Sequence, residues 1–151
     1  MNKKRILLPL LILCTLLLGL SLYAQMARPY HHGSVWTVTF AQVKPGMDVA
    51  YLNYLTTDWK KEQDALKAAG ITLSYKVLTT EGHSSTDWNL MLLTEYKDLS
   101  TLEANEKKAD ALGQKVVGTD EKQMQGYKDR LAIREIMGTR LAREVILAPE
   151  M

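Results

Sequence analysis

The sequence predicts an α+β fold in which the elements follow the order strand, helix, strand, strand, helix, strand. Three observations carry that expectation. Apolar residues recur at every second position in four separate stretches. Between the first and second stretches, and again between the third and fourth, the period lengthens to that of a helix. The second and third stretches are joined only by residues 81–87, a loop short enough for antiparallel neighbours.

The first strand is expected over Val35 to Val43, where Trp36, Val38 and Phe40 alternate with Thr37, Thr39 and Ala41. Lys44-Pro45-Gly46 stops it, because proline presets the first turn position and glycine accepts the positive φ that follows. From Met47 to Ala69, Tyr51, Leu55, Trp59, Leu66 and Ala69 form one helical stripe. Asp48 lies in the first turn, where it complements the helix dipole, and Gly70 supplies the stop. Ile71 to Thr80 returns to period two, as does Trp88 to Tyr96, the latter apolar on both faces through Leu90, Met91, Leu92 and Leu93. A second helical region carries Leu99, Leu102 and Ala109 or Leu112 and breaks near Gly113 to Gly118. It resumes with Asp120 and Gln123 in a capping-box arrangement, continues through Tyr127, Leu131, Arg134 and Met137, and ends at Gly138. Arg140 to Leu147 alternates again as the last strand.

That order is the split βαβ arrangement of a ferredoxin-like βαββαβ fold: a four-stranded antiparallel sheet with helices on one face. A right-handed crossover places the first and third strands at the centre and the second and fourth at the edges. Two helices cover one sheet face only. The uncovered face is expected to show Leu78, Met91, Leu93, Ile146 and Ala41 among Thr37, Thr39 and Lys76. A patch of that size is uncommon on a monomer, so sheet-to-sheet pairing as a homodimer is expected.

The segments VKPGMD, LSYKVL, DWNLMLLTEY, KVVGTDE and IREIMGTRLARE are similar to small, secreted, uncharacterised bacterial proteins of this fold, across roughly residues 35 to 147. The chain resembles the dimeric α/β-barrel superfamily, whose relatives include small monooxygenases, EthD-like proteins and haem-handling members. The resemblance implies the fold and a dimer, and brings no catalytic signature with it. Haem-degrading relatives use a histidine on a helix as iron ligand. Neither helical region here contains one, and no cofactor is expected.

The fold is expected to occupy residues 35–148. Lys3, Lys4 and Arg5 precede an apolar run over residues 6–22, the pattern of a secretory signal peptide spanning residues 1–24. The alternative is an anchor formed by residues 6–22, which just reach a spanning length. Leu13 before Cys14 and the apolar run after it argue against lipidation, so the processed chain would contain no cysteine. A periplasmic or secreted protein follows, touching membrane only if the signal stays uncleaved. Residues 25–34 read as a flexible leader. Nineteen Lys and Arg, less three in the signal, against seventeen Asp and Glu leave a mature net charge of −1. No basic face for nucleic acid is visible.

His83 is the one histidine outside the N-terminal tail, and an imidazole can act as acid, base or ligand near neutrality. It sits on a polar hairpin loop, where a solvated turn residue is the simpler reading. His31 and His32 could hold copper or zinc loosely, but a closed site needs three or four ligands, and no metal site is expected. Tyr51, Tyr54, Tyr75 and Trp88, with Trp59, could line a helix–sheet pocket for a small apolar or aromatic ligand; the same periodicity also describes a plain core. Glu95, Arg140 and Arg143 suggest cross-strand or intersubunit ion pairs, and Lys61 and Glu62 a solvated helix face. The functional expectation is an exported, homodimeric small-molecule-binding or interaction domain. The alternative is a cofactor-independent monooxygenase- or isomerase-like enzyme, which would need polar groups buried in that pocket.

Overall fold

A computed structural model describes residues 29–81, 84 and 86–147. Residues 1–28, with the expected signal segment and Cys14, and His83 lie outside the described residues. The chain divides into two compact units, one of them His32–Glu144; the described residues of the other are 29–31 and 145–147.

The elements are β1 (Tyr30–Val43), α1 (Asp48–Tyr54), a single π-helical turn (Leu55–Trp59), α2 (Lys60–Ala68), β2 (Ser74–Thr79), β3 (Leu90–Tyr96), α3 (Leu99–Ala104), α4 (Glu106–Val116), α5 (Asp120–Arg130) and β4 (Arg134–Leu147). The sheet runs β2-β3-β1-β4, so the first and third strands are central and the others lie at the edges. This is the ferredoxin-like order expected from the sequence. β3 pairs antiparallel with both neighbours, with Val38 opposite Leu93 and Val77 opposite Leu92. On the other side of β1, the Lys44 amide donates to the Ile133 carbonyl at 3.0 Å, and the Thr39 and Thr139 hydroxyls meet at 3.0 Å.

β1 starts at Tyr30, inside the segment expected to be a flexible leader, and takes in His31 and His32. The reason lies far along the chain. β4 is as long as β1, and the Ser34 amide and hydroxyl both donate to the Glu144 carboxylate, at 3.3 and 3.2 Å. A strand with a partner for its backbone groups does not stop where its own hydrophobic pattern fades.

The first helical run explains its own π turn. Tyr51, Leu55, Trp59 and Gln63 are spaced by four, and at 100° per residue such a series drifts by about 120° over twelve residues. One wide turn takes up most of that drift. Tyr51, Leu55, Gln63 and Leu66 are accordingly buried, with Trp59 half-buried. The Asn53 carbonyl accepts the Thr56 and Thr57 hydroxyls at 2.9 and 3.0 Å, which supports the irregular ladder. Beyond Ala69, Gly70 adopts φ 70° and ends the helix.

The second helical region departs from expectation at both ends. Gly113 does not interrupt it but lies buried within α4. A Cβ there would sit 3.2 Å from Glu62 Oε1, so the glycine lets α4 approach α2 closely. Gly113→Leu is therefore expected to destabilise the fold by about 1–3 kcal/mol through overpacking, read as a lower urea midpoint. The cap of α5 is Thr119, one residue before the expected Asp120, with its hydroxyl accepting the Lys122 amide at 3.4 Å. The helix then ends at Arg130, and Arg134 and Met137 belong to β4. The strand's claim on Ile133 to Ile136 prevails because Ile133 and Ile136 pack against the core.

That core joins Ala41, Val43, Tyr51, Leu55 and Leu90 between sheet and helices. Ala41 is fully buried, which corrects its expected place on the open face. With it, Thr37 and Thr39 turn toward the helices, and Trp36, Val38 and Phe40 turn away. Size decides this: a small residue opposite Tyr51 and Leu55 leaves room for their side chains. The open face thus carries Trp36, Val38 and Phe40 beside Met91, Leu93 and Leu78, all partly or largely exposed. Lys76 Nζ lies 5.5 Å from the Trp36 ring centroid at its margin.

Candidate functional site

The helix–sheet interior is not a dry hydrocarbon layer. Tyr51 is 2% exposed and its ring stacks on Tyr54, one helical turn along, at 5.9 Å and 20°. Two arginines reach this pair from the far end of the chain. Arg130, the last residue of α5, places its guanidinium 3.9 Å from the Tyr54 centroid. Arg134, the first residue of β4, lies 4.6 Å from the Tyr127 centroid, and its positive charge acts on the Tyr51 hydroxyl.

Arg134 is 3% exposed, yet its Nε and Nη1 have no hydrogen-bond partner among the described residues, and neither does the buried Nε of Arg130. Nor does any carboxylate of the described residues form a salt bridge with either guanidinium. The effective cost of desolvating an ion is several kcal/mol. A cation–π contact in a dry site returns about 2 kcal/mol. The tyrosine faces thus offset part of that cost and leave the charge of Arg134 uncompensated.

Burial pushes the Tyr51 and Tyr54 hydroxyls above the usual phenol range; Arg134 and Arg130 oppose it at Tyr51, and Arg130 at Tyr54. Both phenols stay protonated at neutral pH. Further polar groups line the same layer. Thr94 Oγ1 donates to Gln63 Oε1 at 3.1 Å with both residues buried.

Glu62, expected on a solvated face, is half-buried against Gly113, and desolvation raises its pKa. The folded protein therefore holds a proton there at pH values where the unfolded chain has released it. Stability from this group is present below the ordinary glutamate value, about 4.3, and is lost as pH rises through the folded value. Glu62→Gln is expected to melt above the parent at pH 7.5 and level with it at pH 4, as followed by circular dichroism.

A cleft of about 410 Å³ opens beside this cluster, walled by Asp58 of the π turn, Val117, Gln123, Tyr127 and Arg130 among others. Its volume suits a small organic molecule. Gly126 also lines it, and a side chain at that position would meet Arg130 Nη1. A smaller cleft of about 90 Å³ lies near Val43, Leu52 and Leu90, with Asp48 as its only charged group. It is too small for an aromatic ligand.

Of the residues expected to line a pocket, Tyr51 and Tyr54 come together. Tyr75 shares their sheet face but sits apart at the β2 edge, edge-on to Trp59 at 5.3 Å with its hydroxyl donating to Asp64 at 2.6 Å. Trp88 is on the opposite side of the sheet, 5.1 Å from Phe40, because the pleat turns Phe40 away from Ala41. Around His83, the Ser84 amide donates to Asp87 Oδ2 at 3.0 Å, and the Thr80 amide to the Asn89 carbonyl at 2.9 Å closes the hairpin. Glu95 accepts Ser74 Oγ at 2.5 Å, and Arg140 donates to the Thr139 carbonyl. Arg130 is the site residue that periodicity does not reveal; Tyr127 and Arg134 lie on the expected helical stripe, and their part in the site shows only once the helix end is known.

The chain is thus a ferredoxin-like α+β protein with a tyrosine–arginine cluster beside a cleft in its helical layer. No protein-family model matches it, and no curated protein sequence does. Among solved structures it is similar to a NIPSNAP family protein of unknown function from Agrobacterium tumefaciens, at 12% identity over 81% of this chain and 96% of that one, with a TM-score of 0.49. It is also similar to a dimeric ferredoxin-like protein from an uncultured marine organism (10% identity, 80% and 93%, TM-score 0.49). A third likeness is HapK from Hahella chejuensis (6% identity, 73% and 91%, TM-score 0.47).

Proposed function

We propose that this protein is an exported homodimer that binds a small apolar or aromatic molecule in the cleft beside Tyr54 and Arg130. The observation that carries the reading is the pair of arginines laid on tyrosine rings, one in the wall of a ligand-sized cleft and the other buried behind Tyr127. A plain interaction module has no use for so costly a polar interior. The apolar open sheet face supports the homodimer, since a contiguous patch of that kind is uncommon on a soluble monomer.

Native mass spectrometry of protein purified under mild conditions tests the binding. A bound small molecule released on denaturation supports it, and its retention by an Arg130→Gln variant at wild-type occupancy argues against this cleft. Export is tested by fractionating cells and sequencing the mature N-terminus, which should begin at Gln25.

The second reading, a cofactor-independent oxygenase or isomerase, draws on the Arg134 charge acting on the buried Tyr51 phenol. A phenol beside a guanidinium in a water-poor interior is suited to stabilise charge that develops on a bound substrate. Oxygen uptake with a panel of hydroquinones distinguishes it: turnover abolished in Tyr51→Phe favours the enzyme, and none with any member favours the binding protein.

A further inference from the structure

We infer that the ligand of this cleft is a neutral amide on an apolar body, a carboxamide or lactam, its carbonyl oxygen received by Arg130 and its N–H by Asp58. This rests on the cleft being the ligand site and adds the chemical class. Four charged side chains line the wall, Asp58 and Asp129 against Lys122 and Arg130. Opposite signs in equal number favour neither an acid nor an amine, and a dipole is far cheaper to desolvate than an ion. Asp129 is already occupied, since Gln125 Nε2 donates to its Oδ1 at 2.7 Å, and Gln123 Nε2 donates to the Gly118 carbonyl at 2.8 Å. Asp58 and Arg130 are not. Both charges act on the Tyr54 hydroxyl, so both lie near it, yet they form no ion pair with each other. Neither the Asp58 carboxylate nor the terminal guanidinium nitrogens of Arg130 hydrogen-bond another described residue. An acceptor and a donor that share a cleft without meeting are bridged by a group carrying both functions side by side. An amide is such a group, with an oxygen that accepts and an N–H that donates. Hydrogen bonds to ionised partners are the stronger kind.

The backbone opens the gap from both sides. Asp58 comes from the π turn, and single turns of that kind recur at functional sites. Across the cleft, a Cβ on Gly126 would lie 2.9 Å from Arg130 Nη1, so the glycine keeps that edge of the guanidinium clear. Glycine is otherwise a poor residue for the interior of α5. Gln123 and Tyr127 also line a shallow hollow of about 460 Å³ together with Met124. Met124 and Tyr127, 57% and 42% exposed, offer apolar surface there for the body of the ligand.

The test titrates the purified protein with benzamide, phenylacetamide and 2-quinolinone, followed by thermal shift and by nuclear magnetic resonance. Benzoate, benzylamine and N,N-dimethylbenzamide serve as acid, amine and donor-free controls. At least one of the three amides is expected to bind saturably, with every control at least tenfold weaker. Asp58→Ala, at an exposed position, should weaken that amide tenfold or more and leave N,N-dimethylbenzamide as it was. Arg130→Gln should weaken both. Benzoate, benzylamine or the dimethyl amide binding as well as the primary amides overturns the inference and leaves the cleft as a ligand site. An amide that binds Asp58→Ala unchanged overturns it as well. If no amide binds at millimolar concentration, the inference falls. Native mass spectrometry then decides the cleft itself, which stands where a small molecule co-purifies with the parent and is missing from Arg130→Gln.

Discussion

Replacing Tyr51 by alanine is expected to cost about 3–5 kcal/mol of folding stability, the range for deleting a large buried ring. Tyr51 is the largest of the fully buried side chains and belongs to the central cluster with Ala41, Val43, Leu55 and Leu90. Its removal opens a cavity, unstacks Tyr54 and takes away the phenol on which the Arg134 charge acts. Tyr51→Phe separates these effects. The ring stays and a buried polar group near the guanidinium goes, which costs about 1–3 kcal/mol. Chemical denaturation should rank the parent above Tyr51→Phe and Tyr51→Ala lowest. If Tyr51→Phe matches the parent, Arg134 does not depend on this hydroxyl.

The sequence carries the order of elements because each strand and the first helix announce their own period. The faces of β1 are less legible. Trp36, Val38 and Phe40 are the more apolar set, yet it is Ala41 and Val43 that join the core, and Ala41 does so because it is small. That choice depends on the volume of Tyr51, which no local pattern in β1 contains. The end of α5 is ambiguous for another reason. Tyr127, Leu131 and Arg134 keep helical spacing, while Ile133 to Ile136 can equally begin a strand. Pairing of Lys44 with Ile133 decides between them. The site suffers most from this. An arginine in a chain reads as a solvated residue, and Arg134 is buried only because Tyr127 from α5 and Tyr51 from α1 both reach it. The candidate pocket read from aromatic residues therefore held Tyr51 and Tyr54, scattered Tyr75 and Trp88, and lacked both cations.

An aspartate at Val38 is expected to split the proposed homodimer, raising its dissociation constant on the order of a thousandfold or more. Val38 and Leu93 are direct partners across β1 and β3, at the middle of the uncovered sheet face. In a two-fold interface each substitution appears twice, so two carboxylates would enter one apolar layer. A buried, unpaired charge costs about 3–5 kcal/mol, and each 1.4 kcal/mol is a factor of ten. The same substitution places a charge on a face that is open in the single chain, so the domain itself should remain folded. Light scattering at micromolar concentration gives the mass, and circular dichroism the fold. A folded monomer is the expected result for Val38→Asp, against a dimer for the parent. Thr57→Asp, on an exposed position of the π turn, provides a charge-matched control that should stay dimeric. A parent that is itself monomeric, or a Val38→Asp variant that remains a dimer, would show that the two copies do not meet through this face. The strand parity argues otherwise. Trp36, Val38, Phe40, Met91 and Leu93 all point away from the helices, and that much apolar surface on one side of a four-stranded sheet calls for a second layer.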